Sequence, residues 1–362
     1  MYESTFVNLF DEYFGNLDRT QKAKILVIAA VVVTLAAIGF FVAGRDNTTD
    51  SAWDEAGTEG LIFARHYLER EVEGVDGYEV TAIPVYAVVG FRGSARVVFI
   101  PASNNDHPVV QIGNRAFEDN RLTGVTIPNS VTHIGELAFA GNQLTSITIP
   151  SSVISIGRSA FERNLLATAS ISDSVAYIGN LAFANNRLTS ITVPSSLTHI
   201  ERQAFADNRL SSVTIPDSVT YIGYRAFADN RLSSVSIPDS VTTIGHRAFE
   251  NNLLISVVIP GSVISIGQSA FERNQLSSIT MGNGVRSIGD RAFARNQLTN
   301  VIIPGGVISV GRWAFAWNPT LESIRIPFAS RTIADRTWTI GWRSDVSPAV
   351  VLYNSMGARV PD

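Results

Sequence analysis

The residue types that usually carry catalysis or bind metals are few and scattered in this chain. It has no cysteine and five histidines, His66, His107, His133, His199 and His246. None of the histidines belongs to an H-x-x-x-H or Cys/His cluster, and neither a glycine-rich phosphate loop nor a nucleophile elbow occurs. Catalysis needs a nucleophile, a base and oxyanion donors in one place. The sequence therefore predicts a protein that is not an enzyme and uses neither metal nor cofactor.

Aromatic side chains at regular spacing offer binding chemistry instead. One position carries His133, Ser155, Tyr177, His199 and Tyr221, each 22 residues after the one before. Since aromatic side chains are favoured at protein interfaces, this stripe is our first choice for a partner contact. Stacking of the rings between neighbouring strands explains the pattern equally well.

Hydroxyl side chains repeat with the same spacing at other positions. One such column contains Thr148, Ser170, Thr192 and Thr214. It predicts a polar, uncharged face on which a partner could bind. Solubility and the β-propensity of threonine are the simpler and favoured explanation of the column.

Arginines form a further column at Arg187, Arg209 and Arg231. Asp207 and Asp229 lie two residues before the second and third of these arginines. We therefore expect a solvated ion-pair network in preference to a polyanion site. The formal net charge of −4 likewise gives no basic excess for nucleic acid.

These columns follow from a 22-residue repeat. Phenylalanine returns ten times without a gap, from Phe117 to Phe315, and asparagine follows it from Asn120 to Asn318. We expect the asparagines to satisfy buried turn backbone, because an amide both donates and accepts hydrogen bonds. A typical unit, LSSVTIPDSVTYIGYRAFADNR, predicts two short strands and then a single helical turn at residues 225–230.

A fixed period of this length is typical of leucine-rich repeats. The sequence therefore predicts a β-rich solenoid, a leucine-rich repeat superhelix of about ten 22-residue coils with capping ends. One transmembrane helix is expected to precede the solenoid.

The repeat resembles the bacterial surface leucine-rich repeat family of the BspA type, whose unit reads approximately L-x-x-I-x-I-P-x-x-V-x-x-I-G-x-x-A-F-x-x-C. The resemblance covers about residues 97–327, with asparagine at the usual cysteine position. Ser172 and Gly282 replace the strand-end proline and Glu201 replaces the glycine, so we expect local kinks there. The resemblance implies cell-surface adhesion, because members are linked to binding host matrix proteins or other cells.

An uncharged apolar run from Ile25 to Ala43 is just long enough to cross a bilayer. Arg19, Lys22 and Lys24 precede the run, which places residues 1–24 in the cytoplasm as an amphipathic segment. A cleaved signal peptide, and hence secretion, is the alternative; the run is longer than the usual apolar core of such a peptide.

The domain organisation follows from these segments. We assign 1–24 to the cytoplasmic segment, 25–43 to the transmembrane helix, 44–60 to a linker, 61–112 to an N-terminal cap and degenerate first coil, 113–327 to the solenoid and 328–362 to a C-terminal cap.

The expected function is that of a membrane-anchored, extracytoplasmic, adhesin-like protein. Its partner would be a protein on another cell, in the host matrix or in the envelope. The alternatives are a structural spacer or scaffold of the cell envelope and a sensory receptor subunit.

Overall fold

The computed structural model describes residues 58–74, 77–326 and 351–353. The predicted amphipathic segment and membrane span lie outside these residues, as do most of the predicted linker and of the C-terminal cap. Within the described ranges no helix is long and apolar enough to cross a bilayer.

Strands and turns make up the described part of the chain, and most strands are two to four residues long. The strands are β1 (Leu61–Gly74), β2 (Gly77–Phe91), β3 (Val97–Phe99), β4 (Ser103–Asn104), β5 (His107–Ile112), β6 (Gly124–Thr126), β7 (His133–Ile134), β8 (Ser146–Ile149), β9 (Ser155–Ile156), β10 (Thr168–Ile171), β11 (Tyr177–Ile178), β12 (Ser190–Thr192), β13 (His199–Ile200), β14 (Ser212–Thr214), β15 (Tyr221–Ile222), β16 (Thr243–Ile244), β17 (Ser256–Ile259), β18 (Ser265–Ile266), β19 (Ser278–Met281), β20 (Ser287–Ile288), β21 (Asn300–Ile302), β22 (Ser309–Val310), β23 (Ser323–Arg325) and β24 (Val351–Tyr353).

The chain forms a solenoid in which successive coils stack in register. We number the coils from the repeat leucine at 122, so that coil 3 is 166–187, coil 4 is 188–209 and coil 5 is 210–231. The second strands of the coils form two parallel runs, one ending β5-β7-β9-β11 and the other ordered β13-β15-β16-β18-β20-β22. The first strands pair in smaller groups, β3 with β6, β8 with β10, β12 with β14, β17 with β19, and β21 with β23 and β24.

One continuous core runs through the coils. Its centre is the column of phenylalanines from Phe117 to Phe315, each at most 1% exposed. Neighbouring rings are stacked nearly parallel, with centroids 5.0 to 5.8 Å apart. Burying a side chain of this kind contributes about 1.5–3 kcal/mol. A single coil has no second face to cover these rings, so the core exists only because coils stack.

The segment at residues 225–230 is not a helical turn, and the prediction for it is wrong. Arg225 and Asp229 are left-handed, with φ of 53° and 55°. Their amides and that of Phe227 donate to carbonyl oxygens of the next coil, each at 2.9 Å. The left-handed residues turn alternate amides towards the neighbouring coil, where a helix would keep them within its own turn.

The same two left-handed positions recur in every coil. Branching at Cβ makes this conformation costly, and valine, isoleucine and threonine occur at neither position. The non-glycine residues are Arg115, Asp119, Leu137, Ser159, Arg163, Leu181, Asn185, Gln203, Asp207, Arg225, Asp229, Arg247, Asn251, Ser269, Arg273, Arg291, Arg295, Trp313 and Trp317.

The asparagine column has the structural role expected of it. The Oδ1 atom of Asn230 accepts the Leu210 amide at 2.9 Å. Its Nδ2 atom donates to the carbonyl oxygens of Phe205 at 3.0 Å and Phe227 at 3.2 Å. The residue is buried and thereby joins two coils through its hydrogen bonds. The same pattern extends from Asn142 to Asn318.

A long hairpin of β1 and β2 lies at the N-terminal end of the solenoid. Strand β2 pairs in parallel with β5 through Tyr86 to Val88. The ring of Phe91 contacts Phe117, the first ring of the core column, at 5.7 Å. These contacts cover apolar surface at this end of the stack.

Candidate functional site

The glycine after each second strand allows neighbouring coils to approach closely. A Cβ atom added at Gly179 would lie 2.7 Å from the amide nitrogen of Arg158, and one at Gly223 would lie 2.6 Å from the carbonyl oxygen of Ile200. Contacts this short would force the neighbouring backbone to move if a side chain were present. Each coil with this glycine therefore rests its backbone directly on the preceding coil.

Glu201 holds this position in coil 4 and has a Cβ atom that the regular stacking distance cannot accommodate. Strands β11 and β13 accordingly do not pair. In the next coil, the amides of Thr220 and Gly223 donate to the preceding coil at 2.8 Å. Within the described residues, the corresponding amides of Thr198 and Glu201 find no backbone acceptor. The kink expected at Glu201 is therefore present as a gap in the sheet.

The gap opens on one side of the solenoid only. On the other side the Phe183 amide still donates to the carbonyl oxygen of Ala204 at 2.9 Å. The rings of Phe183 and Phe205 are 5.8 Å apart, the widest spacing in the phenylalanine column. We call the opening between β11 and β13, with Tyr177, His199 and Glu201 beside it, the notch.

The predicted aromatic stripe is divided by the notch. The rings of His199 and Tyr221 are in contact, with centroids 5.8 Å apart and planes tilted by 44°. Tyr177 lies on the other side of the gap and is 45% exposed. Burial, and then the negative charge of Glu201, raise the pKa of the Tyr177 hydroxyl. Glu201 thus lies close enough to Tyr177 to act on it electrostatically.

His133 does not belong to this group. The residue is half-buried, and its Nδ1 atom lies 2.8 Å from the hydroxyl of Thr132. Burial lowers the pKa of the His133 imidazole. Ser155, which is neither aromatic nor fully exposed, separates His133 from Tyr177 along the stripe. The aromatic group at the surface consists of Tyr177, His199 and Tyr221.

The predicted hydroxyl column lies on the exposed face of the first strands. Thr148 and Ser170 are paired residues of β8 and β10, and Thr192 and Thr214 are paired residues of β12 and β14. All four are exposed. Strands β10 and β12 do not pair, but neither do β6 and β8 or β19 and β21, so this interruption is not specific to the boundary between coils 3 and 4.

The prediction of an ion-pair network around the arginine column is wrong. Asp207 lies 3.8 Å from Arg225, and Asp229 pairs with the same guanidinium. Arg225 and the two aspartates occupy the left-handed positions of their coils, which present their side chains along one edge. Arg209 and Arg231, the neighbours of these aspartates in sequence, are exposed and pair with neither of them.

The structure also exposes apolar side chains that the sequence analysis did not single out. They occupy positions where most other coils carry serine or threonine. This replacement of hydroxyl residues by apolar ones could have predicted the exposed apolar side chains from the sequence. The residues are Ile255, Val258, Ile264, Ile302 and Ile308, which are 53% to 63% exposed.

A stacked solenoid with exposed polar columns defines a repeat scaffold. Within the described part of the chain, no three His, Asp or Glu side chains are grouped to hold a metal ion. The BspA type leucine rich repeat region matches the sequence in six copies, over residues 110–233 and 220–339. The chain therefore belongs to the BspA-type leucine-rich repeat family. No curated protein is significantly similar to it in sequence.

Several solved structures are similar to the chain. A leucine-rich cell surface protein from Faecalibacterium prausnitzii is 24% identical, with 78% of this chain and 90% of that one covered and a TM-score of 0.41. A leucine-rich repeat protein from Bacteroides ovatus is 20% identical, with coverages of 80% and 98% and a TM-score of 0.45. The pneumococcal vaccine antigen PcpA is 18% identical, with coverages of 74% and 80% and a TM-score of 0.44.

Proposed function

We propose that the chain is a membrane-anchored, extracytoplasmic protein-binding scaffold with an adhesin-like role. Residues 25–43 would cross the membrane and the solenoid would face outward. The observation that carries the binding proposal is the exposed group of Tyr177, His199 and Tyr221 beside the notch. Family membership supports a repeat scaffold in this role.

The notch suits a partner protein because it differs from every regular part of the solenoid. Aromatic side chains are frequent among residues that dominate binding energy. The backbone amides of Thr198 and Glu201 are available as donors, and the Glu201 carboxylate adds an acceptor. A partner segment in extended conformation could use donors of this kind, as strand addition does elsewhere.

The binding test uses the triple variant Tyr177→Ser, His199→Ser, Tyr221→Ser. Binding of the full-length chain to surfaces coated with host matrix proteins should weaken by about 30-fold or more, since removal of a dominant contact costs at least about 2 kcal/mol. The matched control is Thr243→Ala, Ser265→Ala, Ser287→Ala, which changes the same position of the second strand in later coils. Unchanged affinity of a folded triple variant would remove the stripe from the proposal.

The location is tested by protease digestion of intact cells, with membrane fractionation before and after. A surface adhesin should be membrane-bound and digested from outside. Protection until the outer layer is breached would instead support an envelope spacer or a receptor subunit. A chain found in the medium without residues 1–44 would support secretion after signal cleavage.

A further inference from the structure

Arg187, Arg209 and Arg231 form an exposed row on three consecutive coils, which we call the arginine ladder. The spacing of the row is set by the backbone. Each arginine is the last residue of its coil, and its amide donates to the carbonyl oxygen of the leucine that begins the same coil, at 2.9, 3.0 and 2.9 Å. The same bond is thus present in coils 3, 4 and 5, on both sides of the boundary between coils 3 and 4. The ladder therefore stays regular where the sheet of second strands is broken.

The arginine ladder carries three positive charges that no carboxylate neutralises among the described residues. Asp207 and Asp229, which are nearest in sequence, are both engaged by Arg225. The three arginines lie between strands, where the stacked coils are about 4.8 Å apart, and like charges at such a separation repel each other. An anionic ligand along the row would relieve this repulsion.

Exposed hydroxyls lie next to the ladder in sequence and continue onto the first strands. In coils 4, 5 and 6 the two exposed positions after the repeat leucine are both serine or threonine. These residues are Thr189, Ser190, Ser211, Ser212, Ser233 and Ser234. No aromatic side chain occurs at these positions in the three coils. The surface thus combines guanidinium groups with neutral hydroxyls.

We propose that the arginine ladder binds an acidic polysaccharide, a linear glycan that carries carboxylate or sulfate groups. A guanidinium matches such groups with paired, charge-assisted hydrogen bonds. The neighbouring serine and threonine hydroxyls can exchange hydrogen bonds with sugar hydroxyls. Binding of single-stranded nucleic acid relies on aromatic side chains that stack on bases, and this surface has none. The site shares no residue with the notch and does not depend on the protein-binding role proposed above.

Direct binding is measured with the full-length chain and three defined polymers. Polygalacturonate carries carboxylates, dextran sulfate carries sulfates, and unmodified dextran is the neutral control. Either acidic polymer should bind, with affinity that falls as salt is raised, and dextran should not. Binding of one acidic polymer only supports the site and identifies its anionic group. Absence of binding to both overturns the proposal.

The site is located with the triple variant Arg187→Gln, Arg209→Gln, Arg231→Gln. Its affinity for the acidic polymer should fall by about tenfold or more, because each exposed ion pair lost contributes up to about a fivefold change. The control Arg163→Gln, Arg273→Gln, Arg312→Gln removes the same charge from exposed but scattered arginines.

Three outcomes separate the proposal from general charge attraction. The control variant should change affinity by no more than about twofold, and an equal loss in both variants overturns the ladder as a site. Substitution of the ladder by lysines should restore part of the binding, since the charge returns without the paired geometry. Single-stranded DNA that binds as tightly, with the same dependence on the ladder, overturns the assignment to glycans.

Discussion

The boundary between coils 3 and 4 and the regular run that begins at coil 5 are built from the same repeat, yet they stack differently. From β13 to β22 the second strands form one unbroken parallel sheet. Between β11 and β13 that sheet is open, while the phenylalanine column continues through both regions. The core and the sheet edge are therefore separable: the buried rings hold coils together even where backbone pairing fails.

The difference between the regions depends on one atom. Gly223 and the glycines after it allow direct backbone contact, and we attribute the gap to the Cβ atom that Glu201 carries at the same position. The opening exposes amides and an acidic side chain beside two aromatic residues. The replacement of glycine by Glu201 thus gives this boundary a surface that the uniform coils lack. Departures from a regular sequence pattern are often found at functional sites.

The largest effect on stability should come from substitutions in the phenylalanine column, which both regions share. Phe249→Ala in the regular run should reduce the free energy of unfolding by about 3–5 kcal/mol, because the cavity forms between two closely stacked rings. Phe205→Ala should cost no more than this, since the Phe183 ring is already the most distant neighbour in the column. Denaturant unfolding of both variants makes the comparison. A greater loss at Phe205 would contradict the view that the boundary is the more loosely packed region.

The next largest effect on stability should come from the glycine that follows each second strand. Gly267→Ala should destabilise the protein by about 1–3 kcal/mol through overpacking, because the new Cβ atom would lie 2.5 Å from the carbonyl carbon of Gly245. Gly261→Ala is the matched control, since a Cβ there has no atom within 4 Å. Thermal or denaturant unfolding measures both. Equal losses would show that close approach is not what the glycine column provides.

Glu201→Gly should close the notch. Two regained amide hydrogen bonds contribute about 0.5–1.5 kcal/mol each, and the added glycine costs about 0.5–1 kcal/mol, so a net gain of about 1 kcal/mol is expected. Hydrogen exchange should show new protection at the amides of Thr198 and residue 201.

Glu201→Ala is the control for this change, because it removes the carboxylate and keeps the Cβ atom. Its amides should remain as open to exchange as those of the wild type. Protection in Glu201→Ala equal to that in Glu201→Gly would assign the gap to charge instead of steric exclusion.

The smallest effect is the pH dependence of stability that comes from Asp207 of coil 4, which lies near Arg225 and Asp229 of coil 5. Burial, and then the charge of Asp229, raise the pKa of Asp207, while Arg225 opposes the shift. A raised native pKa gives stability that is complete below the ordinary carboxyl pKa and is lost as pH rises through the native value. Asp207→Asn should therefore be more stable relative to wild type at pH 7 than at pH 4.

Denaturant unfolding at the two pH values tests this dependence. Arg225→Gln should make the pH dependence steeper, because it removes the charge that lowers the pKa of Asp207. A stability difference between wild type and Asp207→Asn that does not vary with pH would contradict the assignment of the shift.

The repeating pattern alone determined much of the architecture. The period, the inward phenylalanines, the structural asparagines and the outward columns all follow from alternation along a strand and from stacking of identical units. The same reasoning placed Tyr177, His199 and Tyr221 at the surface. It also identified Glu201 as a departure, because a charged residue stands where the other coils carry glycine.

Contacts between coils decided the rest. The turn at Arg225 to Asp229 resembles a helical turn only when its hydrogen bonds to the next coil are ignored. Asp207 and Asp229 pair with Arg225 and not with Arg209 or Arg231, which are nearer in sequence. Arg225 and both aspartates occupy left-handed positions, and these positions are neighbours in the stacked coils. The division of the stripe follows from a backbone approach so close that one Cβ atom blocks it. Local sequence determines which residues alternate, whereas distances between stacked backbones exist only in the assembled solenoid.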